Sequence, residues 1–268
     1  FVQAVGDAVR FLSNSPKLEC HPLNQVDILS LTDTYFNGYN EGCDTDILLE
    51  KDKIQIGDHH FGVLALNHEA CFGETVRTST VNPALTSDDF SFHQGFMDSL
   101  GLSLDGNHIV NHILYLDDRH KWRKLLEKRI EELAKSSSFG SRNKVLHEKI
   151  SKTLDDINRD DSARLVRGQL NIIHWGRDAR GPDHMTSEIK ARFKELDMVP
   201  YAPKGQERAN YFLNSYWGFS PNFSDSDLFV ADLKHALCLY GNATNYKSDA
   251  HGIVFNDRQH NIPVLKDV

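Results

Sequence analysis

Two amphipathic stretches set back to back constrain this chain more than any other feature. Behind Asp117 and Asp118, where an N-cap belongs, Trp122, Leu125, Leu126, Ile130 and Leu133 recur at helical spacing. Ser136-Ser-Ser-Phe-Gly-Ser141 reads as a linker, after which Val145, Leu146, Ile150, Leu154 and Ile157 repeat the pattern. Helices joined by so short a connection form an antiparallel hairpin. Strand-like runs flank it, Ile109–Leu116 before and Gln169-Leu-Asn-Ile-Ile-His-Trp175 after. Strict βαβ alternation is missing, so the expected class is α+β, with mixed or antiparallel sheets, packed helices and two small lobes. The bounds expected are an N-terminal α+β lobe over 1–118, the helical hairpin over 119–163 and a second α+β lobe over 164–268.

Phe1, Val5, Ala8 and Leu12 share one helical face, and a second helix is expected from about Asn24 to Phe36. The chain opens inside a helix, without an initiating Met or an apolar signal stretch, and is expected to be part of a longer protein. Asp46–Ile56 and Phe61–Leu66 read as a hairpin around a Gly57-Asp58 turn. Residues 68–92 read as a loop, followed by a strand over Ser91–Leu104. Met185, Ile189, Phe193 and Leu196 mark a helix, Asn210–Trp217 reads as extended, and Leu228–Leu239 as helical. Gly252-Ile-Val-Phe and Ile262-Pro-Val-Leu-Lys-Asp form a terminal hairpin.

Of 268 residues, 40% are hydrophobic and 25% charged, a globular composition that excludes collagen-like and wholly disordered chains. The net charge of −8 opposes broad phosphate binding, so no direct nucleic-acid partner is expected. Cys20, Cys43, Cys71 and Cys238 are too few and scattered for a disulfide scaffold and read as reduced thiols of an intracellular protein. The contiguous phosphate loop, the Gly-x-Gly-x-x-Gly turn and the Gly-x-Ser-x-Gly elbow are all absent.

The fourteen histidines cluster at His59-His60, His68 with Cys71, and His108 with His112. On a strand, His108 and His112 would stand about 13 Å apart, and no cluster supplies the usual three or four ligands, so no metal is expected. A freestanding metal-dependent hydrolase using His59, His60, His108 and His112 is the alternative from another class. Asp44-Thr-Asp46 and Asp225-Ser-Asp227 start a calcium-loop spacing that no glycine and distal Glu complete; the second pair reads as a helix cap before Leu228. Arg119–Arg129 is basic around Trp122, so Lys121, Trp122 and Arg123 are candidate contacts for a partner or an anionic membrane surface. Glu127, Glu131 and Glu132 balance it toward a solvated face. A nucleic-acid-binding module built on helix 119–129 is a third reading. Trp217, Phe219 and Phe223, in Trp217-Gly-Phe-Ser-Pro-Asn-Phe223, are candidate partner anchors, with core packing as the competing reading.

Several blocks carry a resemblance in their order and spacing. They are Ile54-Gln-Ile-Gly57, Leu104-Asp-Gly-Asn-His-Ile-Val-Asn-His-Ile-Leu114 leading into the basic helix, Leu170-Asn-Ile-Ile-His-Trp175, Tyr211 to Pro221, and Gly252-Ile-Val-Phe-Asn-Asp-Arg258 with Pro263-Val-Leu-Lys-Asp267. Together they resemble the N-terminal region of TraG-family ATPases of Bacteroides-type conjugative transposons, relatives of the CagE/TrbE/VirB type IV secretion ATPases. Asn261 stands where the last turn usually offers glycine. The resemblance implies a non-catalytic region at the cytoplasmic face of the bacterial inner membrane, docking a motor to inner-membrane channel proteins during conjugative DNA transfer. It also implies that the phosphate loop, with ATP and magnesium, belongs to a RecA-like domain following Asp267. This region itself would carry no cofactor, catalytic residue or metal, and would oligomerise only within the full-length protein.

Overall fold

Strand β5 (Leu165–Gly176) organises the fold, because its neighbours reach it from distant parts of the chain. The computed structural model describes residues 2–14, 22–40, 46–50, 53–73, 97, 100, 104–136, 141–160, 163–178, 180–240, 251–256 and 263–267. From Val166 to Ile173 the strand is buried at nearly every position, as a strand covered on both faces must be. β3 (His59–Leu66) runs antiparallel along one edge, from His60 opposite Gly176 to Leu66 opposite Leu170. β6 (Phe229–Asp232) continues that edge against Leu165–Gly168. β4 (Asn107–Tyr115) takes the other edge, from Asn107 opposite Trp175 to Tyr115 opposite Arg167. β1 (Ile47–Leu49) and β2 (Ile54–Ile56) complete the order β1-β2-β3-β5-β4, all antiparallel.

Side chains alternate across this sheet and build a core on each face. On one, Leu64, Leu66, Val166, Leu170 and Ile172 meet Met185, Ile189 and Phe193 of α5 (Gly181–Glu195) and Ala236 of α7 (Leu233–Cys238). On the other, Phe61, Val63, Ala65 and Ile173 meet Tyr35 of α2 (Gln25–Phe36) and Tyr211 and Phe212 of α6 (Gly205–Asn214). Each large side chain so buried contributes about 1.5–3 kcal/mol. Helices thus pack on both faces of an antiparallel sheet, an α+β architecture in three layers. One sheet draws strands from both the 1–118 and the 164–268 stretches.

The helices α3 (Arg119–Ser136) and α4 (Ser141–Arg159) form the hairpin expected from their pattern and pack chiefly on each other. The Arg119 guanidinium donates to the carbonyls of Ile157 and, at 3.1 Å, Asp160, so the start of one helix is tied to the end of the other. Among the described residues Trp122, Leu126, Leu133 and Ile157 are its buried hydrophobic side chains. Helix α1 (Val2–Ser13) forms as expected, yet Val5, Val9, Phe11 and Leu12 all stay exposed. The terminal hairpin is a separate two-stranded sheet, β7 (Ile253–Asn256) on β8 (Pro263–Lys266).

Three local expectations are corrected. Asn210–Trp217 is not extended: Asn210–Asn214 ends α6, where Tyr211 and Phe212, one turn on from buried Arg208, are buried against the sheet. Leu228–Leu239 begins as strand β6, paired with β5, and turns helical only after Asp232, whose carboxylate accepts from the Lys234 N–H. Within Ser91–Leu104, Leu100 is helical and donates its N–H to the Met97 carbonyl at 3.0 Å, where a strand was expected. Most of that segment, with residues 74–96, lies outside the described residues, as do Cys20, Cys43 and Asp44. Asp46–Ile56 holds two strands, β1 and β2, paired antiparallel, and the Glu50 N–H donates to the Lys53 carbonyl.

Candidate interaction surface

The aromatic segment after α6 meets α2 and forms an apolar ridge. Asn24 caps α2, accepting from the N–H groups of Val26 and Asp27 while Asp27 accepts from the Asn24 N–H, a reciprocal box. The helix is thereby fixed with Tyr35 pointing inward, its hydroxyl donating to the Phe212 carbonyl at 2.6 Å and its ring stacked on Phe212 at 4.9 Å. Burial raises the Tyr35 phenol far above its ordinary range and keeps it neutral. Tyr216 links the two elements: its hydroxyl shares a 2.5 Å hydrogen bond with Thr32, and its ring touches Tyr35, Phe36, Trp217 and Phe219.

Trp217 and Phe219 stand out from this base, 58% and 43% exposed. Beside Trp217 α2 exposes Leu31. A cavity of about 220 Å³ opens between α2, β4 and the Tyr216–Trp217 turn, walled by Leu31, Tyr39, Ile109 and Trp217. Rigid aromatics around an apolar hollow are the arrangement that anchors a protein partner. A polar network holds the floor. Ser215 and Asn111 both donate to the Asn171 carbonyl oxygen, at 3.0 and 2.9 Å, and Asn171 donates to Gln169 at 2.8 Å. Gln169 donates to the Asp227 main chain, the Asp227 carboxylate accepts from Tyr211, and Tyr211 accepts from Asn67. Burial, and next the Asp227 charge, push the Tyr211 phenol upward.

Of the six sequence-derived contact candidates, the structure leaves four at the surface. Phe223 is 7% exposed and packs on Tyr211, and Trp122 is 8% exposed. Both belong to packing, which removes them from the contact surface. Lys121 is exposed and pairs with Asp117 at 3.4 Å, and Arg123 is half-buried on the same helix. The start of α3 is joined to the aromatic loop through β4: the Tyr115 hydroxyl donates to the Ser220 carbonyl, next to Phe219. Asp117 is also gripped by Arg167, at 2.6 and 3.0 Å, and Arg167 reaches Asp225 and lies over the Tyr115 ring. The Arg167 hydrogen bonds hold the Asp117 carboxyl below its ordinary range. Asp118 provides the helix cap, accepting from the His120 N–H at 3.0 Å. Asp225 and Asp227 form a short turn, with Asp227 accepting from the Ser224 N–H. Tyr35, Phe36 and Tyr216, which shape the ridge, were not singled out as a group from the sequence, since only the fold brings residues 35 and 216 together.

Two of the clustered histidines serve local structure. His59 donates to the Gly38 carbonyl at 2.7 Å, and His68 accepts from the Ala70 N–H to cap a one-turn helix ending at buried Cys71. His112 is driven down to about 4 by burial. Among the described residues no three His, Cys, Asp or Glu side chains converge as metal ligands, and no helix is long and apolar enough to cross a membrane. The fold is of the α+β class, an antiparallel sheet with helices on both faces, and it leaves an aromatic ridge exposed. No protein-family model matches the chain, and no curated protein matches it.

Proposed function

We propose that this chain is a docking region that couples a conjugation motor of the TraG type to inner-membrane components of a type IV secretion channel, at the cytoplasmic face of that membrane. The observation that carries the reading is the exposed pair Trp217 and Phe219 on the packed Tyr216 ring, with exposed Leu31 of α2 lining the same hollow as Trp217. The ordered sequence blocks that resemble the TraG family supply the class of partner. In this reading the chain hydrolyses no ATP and needs no cofactor of its own; ATP and magnesium act in the motor domain, its second partner. Lys121 and Arg123, at the start of α3, are in this reading candidate contacts for the partner or for an anionic membrane surface. The test is binding of the purified chain to detergent-solubilised channel proteins of a conjugation system. Saturable binding that Trp217→Ala and Phe219→Ala each weaken about tenfold or more is the expected result. Magnesium-dependent ATP turnover by the chain alone overturns it.

A further inference from the structure

A second cleft lies at a gap in the edge of the sheet, away from the aromatic ridge. β2 pairs with β3 as far as Phe61, opposite Ile54, and Tyr201 then bridges Ala65, exchanging both main-chain bonds at 2.8 Å. In an antiparallel strand alternate residues turn their main chain to the same edge. Val63 therefore faces the gap between these two partners with its N–H and C=O, and no described strand residue pairs with it there. The cleft above it has a volume of about 490 Å³, within the range of small-molecule sites. Phe61, Val63, Leu64 and Pro182 give it apolar walls.

Three cations from three separate elements meet there: Lys53 before β2, Lys190 on α5 and Arg208 on α6. Glu50 pairs with Lys53 at 3.8 Å, and Asp183 is the other carboxylate lining the cleft, so positive charge is in excess in a chain whose net charge is −8. Arg208 is 8% exposed and oriented by its Nε–H, which donates to the Pro203 carbonyl at 3.0 Å. Thr186 adds a hydroxyl 3.0 Å from Nε2 of His174, a ring packed against Gly62 where a Cβ would lie 2.3 Å from it. Burial, helped by the charges of His108 and Arg208, lowers His174 to about 4, so the group behind Thr186 stays a neutral imidazole near pH 7.

We propose that this cleft binds a small organic molecule through an oxyanion, phosphate or carboxylate, held by Lys190 and Arg208, with the Val63 main chain and the Thr186 hydroxyl fixing its orientation. A peptide strand does not fit, because the gap is one residue pair wide and closed at both ends. Phosphate and carboxylate share this chemistry, and the probes separate them. Titration calorimetry of the full chain with pyrophosphate and, separately, citrate is expected to show one-to-one binding of at least one. Lys190→Glu, on an exposed helix position, is expected to weaken that binding tenfold or more while leaving the melting temperature of the ligand-free protein within about 2 °C. Arg208→Gln reads the same contact from the other wall, and Lys53→Glu serves if that variant fails to fold. Pyrophosphate alone binding assigns a phosphate ligand, citrate alone a carboxylate, and both together an oxyanion of either kind. Neither probe binding at about 1 mM, or binding that Lys190→Glu leaves unchanged, overturns the proposal. Lys190 stands on α5, on the face of the sheet opposite α2 and α6, so its variant tests the cleft and the docking reading separately.

Discussion

Single residues carry the sharpest consequences. Asn171 is fully buried and satisfies Ser215, Asn111 and Gln169 at once. Asn171→Leu leaves the buried Gln169 side-chain oxygen without its donor, while Ser215 keeps the Tyr211 carbonyl and Asn111 is half-exposed, and a loss of about 1–3 kcal/mol is expected in urea unfolding at pH 7. The buried histidines set the pH dependence. His112 and His174 sit near 4 in the folded chain and near 6.5 unfolded. Between those values the unfolded chain binds more protons, so stability is complete above about pH 7 and declines as pH falls toward 4. His235, raised by its hydrogen bond to Asp232, runs the other way, but it is half-exposed and contributes less. Urea unfolding at pH 7.0 and 5.0 is expected to show a drop of a few kcal/mol. A His112→Gln, His174→Gln double variant flattens that slope, and an unchanged slope contradicts the assignment.

At the scale of elements, what was legible in the sequence was what is local. The helix beginning near Asn24, the Gly57-Asp58 hairpin turn and the paired amphipathic helices each depend on residues a few positions apart, and each stands where the pattern placed it. Tyr211 and Phe212 look like a strand to a reader of composition, because aromatic residues favour strands; contact with the sheet makes the segment a helix. Phe229–Asp232 fails for the opposite reason, being fixed as a strand by Leu165–Gly168, some sixty residues away. Trp122 and Phe223 show the same limit at the surface, since an aromatic residue carries no mark of whether the fold will cover it. The hairpin of α3 and α4 offers an element-scale test. Its helices rest chiefly on each other, so Ile157→Ala, at a 2% exposed position, is expected to cost about 2–4 kcal/mol locally. Hydrogen exchange is the measurement: amides of 119–159 lose protection while those of β5 keep theirs. Equal loss in both contradicts an independently stabilised hairpin.

For the whole molecule, the sheet explains how the aromatic ridge is held in place. β5 holds β3, β4 and β6, the polar floor on β5 fixes α6, and α6 fixes Tyr216 against α2. None of this pairing was legible from periodicity, because register between strands a hundred residues apart leaves no local signal, and the cations of the second cleft come from three distant segments for the same reason. Trp217 and Phe219 take little part in that core, so replacing both by Ala is expected to change global stability by no more than about 0.5–1 kcal/mol. Their loss should be felt in association alone. The most direct measurement is therefore the affinity of the chain for purified inner-membrane channel proteins of a conjugation system, reconstituted in lipid nanodiscs, for the wild type and the Trp217→Ala, Phe219→Ala variant. Saturable binding by the wild type, weakened about a hundredfold in a variant that melts normally, is the predicted result. No binding by the wild type, or equal binding by both, contradicts the account.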